Sequence, residues 1–134
     1  MDFCLHGHEH VYQRTRPLRF RPADAAQATP AHGAQRLVPG VFTVDRAFDG
    51  KTVTRPDGIL YITTGAGGKE LYDPDQDESP DKWLHPEDDH AAYNARFHSS
   101  AHSLTVFDVD GPTVTMTQVD EAGQEIDRIT VTKA

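Results

Sequence analysis

The chain has 134 residues, enough for one domain and too few for two ordinary ones. With 21 acidic against 13 basic residues its formal net charge is -8, which argues against a nucleic-acid or anionic-membrane partner, since either would favour a clustered basic face. A hydrophobic content of 37% permits only a modest core, and the single cysteine, Cys4, excludes an intrachain disulfide.

No signal-peptide pattern opens the chain: Met1 is followed by an acidic residue and a very short apolar run. No apolar stretch is long enough for a transmembrane helix. Phe3, Cys4 and Leu5 fit the end of a buried strand over residues 2–5, with Cys4 as a small buried hydrophobe. That strand leads into Leu5-His6-Gly7-His8-Glu9-His10-Val11-Tyr12-Gln13-Arg14-Thr15, the sharpest signal in the sequence. Three histidines fall within five residues, with a glycine between the first two and a carboxylate between the last two.

If the backbone stays extended through His8-Glu9-His10, both imidazoles point to one side, about 6.6 Å apart. At that spacing they can chelate one ion, or serve one ion each in a two-metal site whose metals lie roughly 3.5–4 Å apart. A surface pair would show the same spacing, and a single-metal site built from His6, His8 and His10 is a third possibility. Gly7 would let the chain approach such a centre without a Cβ in the way. His6 is most simply a residue that supports the ligands from behind.

Val11 to Phe20 continues extended, with Pro17 marking an edge or turn position. Arg14, Arg16, Arg19 and Arg21 can attract phosphate, although such a run is more often a solvated segment. From Arg21 to Gly40 the composition shifts to Ala, Pro, Gln and Gly, a loop with few apolar anchors. Val41 to Val44 reads as a short strand and Asp49-Gly50 as a tight turn. Asp57-Gly58 opens the clearest strand, Ile59 to Thr64, rich in β-branched and aromatic residues and apolar on both faces, hence central and buried. Gly65-Ala66-Gly67-Gly68 follows. Its spacing fits neither a Walker loop nor a dinucleotide fingerprint, so a tight passage of backbone past neighbouring structure is the better reading.

Residues 69–90 are acidic. Asp73, Asp75 and Asp77 alternate as in a calcium loop, but Pro74 interrupts them and the required glycine and final glutamate are out of place, so a solvated loop is expected. Pro86-Glu87-Asp88-Asp89 looks like the first turn of a short helix running to about Arg96. His98 and His102 would line a pocket mouth or, more commonly for such residues, pack or face solvent. Ser103 to Val109, with Leu104 and Val106 on one face, Thr113 to Val119 and Ile126 to Thr132 form a β-meander with turns at Asp110-Gly111 and at 120–123.

Gly7 to Thr15 resembles the Gly-His-x-His-x-Tyr-Glu-Arg-(Thr/Ser) segment of calcineurin-like metallophosphoesterases, especially the purple acid phosphatase-like branch. It departs at Gln13, where the family usually has Glu. Tyr61 to Gly68 resembles the Tyr-Ile-x-x-Gly-x-Gly-Gly stretch of the same family, and the C-terminal strands resemble its ending. The resemblance implies an α/β (α+β) sandwich of which residues 1–134 form the C-terminal portion, mainly β-strands with loop excursions over 21–40 and 69–90 and at most one short helix. It implies His8 and His10 as ligands, one per ion, to two divalent or trivalent metal ions (iron, zinc or manganese). Tyr12 and Arg14 then become candidates for contact with substrate phosphate, although each is at least as suited to a structural place.

Asp88-Asp89-His90 matches the family's Asp-x-His motif, but that motif belongs well upstream of the histidine pair, so here it is a decoy. The family's Gly-Asp-x-x-(Tyr/Asn) and Gly-Asn-His-(Glu/Asp) motifs have no counterpart, since Asn94 is followed by Ala95, and no residue is assigned a catalytic role. The implied parent activity is metal-dependent hydrolysis of a small-molecule or phosphoprotein phosphoester, in a family that is often secreted. This chain reads as an incomplete portion, inactive alone, whose N-terminal half lies in another chain; Met1 just before a core strand suggests a truncated or split gene. The rival expectation is a non-catalytic β-rich binding or assembly module that keeps the histidine motif as a relic and must cover an open sheet edge.

Overall fold

The computed structural model describes residues 2–23, 39–72 and 91–133. They form strands β1 (Phe3–His6), β2 (Tyr12–Thr15), β3 (Leu18–Pro22), β4 (Gly40–Val44), β5 (Leu60–Thr64), β6 (Asn94–His98), β7 (Ser103–Asp110), β8 (Thr113–Asp120) and β9 (Glu125–Thr132). A four-stranded sheet has the order β1-β5-β2-β6, a second sheet is the hairpin β3-β4, and a third is the meander β7-β8-β9. β1 runs parallel to β5, pairing Phe3 with Leu60 and His6 with Thr63, whereas β2 is antiparallel to both β5 and β6.

The apolar residues recur every second position, which is why strands form. Leu60 and Ile62 face one way from β5, Met116 and Gln118 from β8, and Ile129 and Val131 from β9, all buried. These side chains, with Tyr12 and Phe48, make the core between the four-stranded sheet and the meander. Phe3 and Phe107 meet edge to face across it, with ring centroids 5.4 Å apart. Each fully buried aliphatic side chain contributes about 1.5–3 kcal/mol.

Gln118 is the polar member of this layer, and both of its side-chain polar atoms have a partner. Its Nε2 donates to the Ser103 hydroxyl at 2.8 Å, its Oε1 accepts from Thr105, and Thr105 in turn lies 2.7 Å from the Thr64 hydroxyl. The Asp49-Gly50 turn closes the same core from the side. Gly50 has φ 68° and stands against Ile129, where a Cβ would come within 2.6 Å of the isoleucine side chain.

Three expectations need correction. The α/β (α+β) sandwich does not form: among the described residues the chain is nearly all β, in three small sheets, and its only helical turn is a 3-10 turn at Ala91–Tyr93. The short helix expected to run to about Arg96 also does not reach it, because Asn94 to His98 pairs with β2 instead; the expected first turn at Pro86 to Asp89 lies outside the described residues. Third, β1 is an edge strand rather than a buried one: Cys4 is half-buried and Leu5 is 51% exposed. The Asp73-Asp75-Asp77 run, Asp88-Asp89-His90 and most of the 21–40 excursion lie outside the described residues.

Candidate metal centre

The topology fixes where the histidine motif goes. β1 and β2 flank β5 on opposite sides, so residues 7–11 must arch over the C-terminal end of β5. The arch is pinned by the Val11 amide donating to the Glu9 carbonyl at 2.8 Å and the Gly65 amide donating to the Val11 carbonyl at 3.1 Å. Of the four residues Gly65-Ala66-Gly67-Gly68, Gly65 is the one that needs to lack a side chain, because a Cβ there would run into the Glu9 carbonyl. Gly67 and Gly68 face open space or ordinary contact distances, and Gly7 has nothing near it.

The arch is not extended. His8 has φ 80°, in the left-handed region, so the geometry of two imidazoles on one face of a strand does not apply. A non-glycine residue held there costs about 1–2 kcal/mol, the kind of local strain that gathers at functional loops. His8 and Glu9 are exposed at its crest.

His10 is held from behind. Its Nδ1 lies 2.8 Å from the Glu70 carbonyl oxygen, which can only accept, so Nδ1 carries the proton and Nε2 the lone pair. The ring also lies against Tyr72, with centroids 5.1 Å apart and the two planes tilted by 38°. Metal-binding imidazoles are characteristically oriented by just such a bond from the other ring nitrogen.

All five histidines among the described residues collect at this end of the four-stranded sheet. His6 closes β1 with its ring 3.3 Å from the Thr63 hydroxyl. His98 ends β6 opposite Tyr12, where burial holds its imidazole below the ordinary value, opposed by Asp120 and reinforced by Arg96. His102 places Nε2 3.1 Å from the Lys69 carbonyl, one residue before the carbonyl that anchors His10, and Nδ1 3.3 Å from the Glu121 carboxylate.

Tyr12 and Arg14 sit elsewhere. They point into the core side of β2 and share one carboxylate, Asp127 of β9. The Tyr12 hydroxyl donates to Asp127 Oδ2 at 2.7 Å, Arg14 Nε to the same oxygen at 2.6 Å, and Arg14 Nη2 to Oδ1 at 3.2 Å. Tyr12 is fully buried and Arg14 nearly so. Burial and then the neighbouring carboxylate push the Tyr12 phenol far above its ordinary range. Burial works against both charges of the ion pair, but the mutual hydrogen bonds and attraction outweigh it, so the Arg14 pKa is raised and the Asp127 pKa lowered.

Asp127 was not singled out from the sequence, yet a signal was present. It shares its parity with Ile129 and Val131, the two inward residues of β9, so a carboxylate there must find a buried partner.

Among the described residues no group of three or more His, Cys, Asp or Glu side chains converges to hold a metal ion. His10 has one ring nitrogen bonded from behind, but among the described residues the carboxylates that a metal pair requires are not gathered around it, so these residues do not by themselves fit the two-metal centre implied by the motif. Comparison with family models, curated proteins and solved structures finds no match.

Proposed function

We propose that this chain supplies the histidine ligands of a two-metal phosphoesterase centre and is inactive alone. The carrying observation is His10, whose Nδ1 is tied to the Glu70 carbonyl and whose Nε2 is thereby left as the lone-pair nitrogen, next to a strained and exposed His8. In this reading His8 and His10 each serve one divalent or trivalent ion (iron, zinc or manganese), and a second polypeptide supplies the carboxylates. A bound metal pair would clamp a phosphoester and make hydroxide available near neutral pH. This chain's own part is to present imidazole nitrogens from a pinned arch. Tyr12 and Arg14, committed to Asp127, hold the strand that follows the arch rather than the substrate.

The test is metal content by elemental analysis together with hydrolysis of an aryl phosphate, with manganese, iron or zinc added to the same sample. Little metal and no turnover are expected from the chain alone. Two metals per chain with turnover lost in His10→Ala would overturn the claim of incompleteness.

A second reading, a β-rich assembly module with a relic motif, draws support from the edge position of β1 in its sheet. It predicts a concentration-dependent oligomer in size-exclusion chromatography that His8→Ala and His10→Ala leave unchanged.

A further inference from the structure

A second polar recess lies beside Arg14 of β2, and no histidine lines it. It is a cleft of about 390 Å³ beside β6 and β9, lined by four cationic side chains, Arg14, Lys51, Arg96 and Arg128, and by three carboxylates, of Asp49, Glu125 and Asp127.

The carboxylates are spent within the protein. Asp127 accepts from Tyr12, Arg14 and the Arg128 amide. Asp49 accepts from the amides of Lys51, Thr52 and Val53 and from the Thr52 hydroxyl. Glu125 pairs with Arg128 at 3.3 Å.

The cations are not all spent. Lys51 has no ion-pair partner among the described residues. Arg96 donates Nε and Nη2 to the Ile126 carbonyl at 3.3 and 2.9 Å, which orients the guanidinium, and among the described residues its Nη1 has no acceptor. A chain of net charge -8 thus keeps a locally positive cleft containing one anchored fork of donors and one exposed ammonium. That pairing suits a compact oxyanion, since guanidinium matches its geometry and ammonium adds a point charge. The overall negative charge disfavours an extended polyanion.

We propose that this cleft binds the phosphoryl group of a small ligand, either inorganic phosphate or a phosphate monoester, through Lys51 and Arg96. The site is independent of the metal reading.

The test is a titration of the metal-free, chelator-treated protein with inorganic phosphate at constant ionic strength, followed by amide NMR shifts, and then a titration with phenyl phosphate. Saturable shifts are expected at Lys51, Ala95, Arg96 and Arg128. Lys51→Gln, at an exposed position, should weaken binding by about tenfold, the scale of one charge-assisted hydrogen bond. Arg96→Lys should weaken it as well, and His10→Ala should leave it unchanged. Tighter binding of phenyl phosphate would identify an ester as the ligand, and tighter binding of inorganic phosphate the free ion; both support the site. Shifts of the same size with chloride, binding unaffected by Lys51→Gln, or binding abolished by His10→Ala would each overturn it.

Discussion

Two halves of one eleven-residue stretch meet opposite fates. Gly7 to His10 rises out of the sheet into an arch exposed at His8 and Glu9, pinned by few bonds and strained at His8. Tyr12 to Thr15 drops straight into the core, where Tyr12 and Arg14 converge on Asp127, more than a hundred residues away in sequence. The first half has ring nitrogens to offer and little packing to lose. The second carries an ion pair between the two sheets that face each other and spends the Tyr12 hydroxyl and the Arg14 Nε and Nη2 on Asp127. A motif that reads as one functional unit is therefore two devices joined end to end, a presenting loop and the anchor that holds it in place.

The comparison breaks most sharply at Asp127. Asp127→Ala leaves the Arg14 charge buried without its carboxylate and the Tyr12 hydroxyl with only the Met116 sulfur at 3.9 Å, and is expected to cost about 3–5 kcal/mol, whereas His10→Ala should cost well under that. Urea unfolding followed by circular dichroism measures both; equal losses would mean that the arch carries as much stability as the anchor. Tyr12→Phe keeps the ring in the core and removes one hydrogen bond to a charged acceptor, for an expected loss of about 1.5–3 kcal/mol. Gly65→Ala attacks the join itself. The added methyl meets the Glu9 carbonyl, so the arch must shift, at an expected cost of about 1–3 kcal/mol.

The anchor also has a pH signature. The Asp127 pKa is lowered in the fold, so its contribution is complete above the ordinary carboxylate value near 3.9 and is lost as pH falls through the lower folded value. The Tyr12 pKa is raised, so its contribution is complete below about 10 and is lost as pH rises through the higher folded value. Stability from this joint should form a plateau between those limits. Asp127→Asn should remove the acid-side decline that the joint causes, and Tyr12→Phe the alkaline one. Unfolding curves across pH that keep both slopes in both variants would place the titrating groups elsewhere.

What the sequence made legible was local. The alternation in Ser103 to Val109 and its two successors, with Asp-Gly and Gly123 turns between them, appears in the structure as the β7-β8-β9 meander, and Ile59 to Thr64 does lie between two strands. The backbone need at Gly65 was readable as a tight passage, although not that Gly67 and Gly68 are free of it. Non-local choices stayed hidden. Asn94 to His98 pairs with β2 because Gln13, Arg14 and Thr15 offer it an edge, a preference that no local pattern in Ala91 to Arg96 records. The overall architecture was misjudged for a similar reason. Short motifs report the chemistry of a loop, whereas the number and period of the elements around it decide whether helices cover a sheet or a second sheet does. His8 and His10 are the positions that the motif marks most plainly, and their backbone still departed from the extended form, because crossing the end of β5 in five residues forces a turn.

The smallest expected effect tests whether that turn is held for its own sake. At φ 80° a histidine is less comfortable than glycine by about 1–2 kcal/mol, while glycine loses roughly 0.5–1 kcal/mol more backbone entropy on folding. His8→Gly is therefore expected to be neutral or to stabilise by up to about 1 kcal/mol, whereas His8→Ala keeps the strain. A histidine retained where glycine would fold better is retained for its ring. If His8→Gly instead unfolds more readily than the parent, the imidazole itself props the arch, and the division between a presenting loop and a separate anchor fails at the residue that defines it.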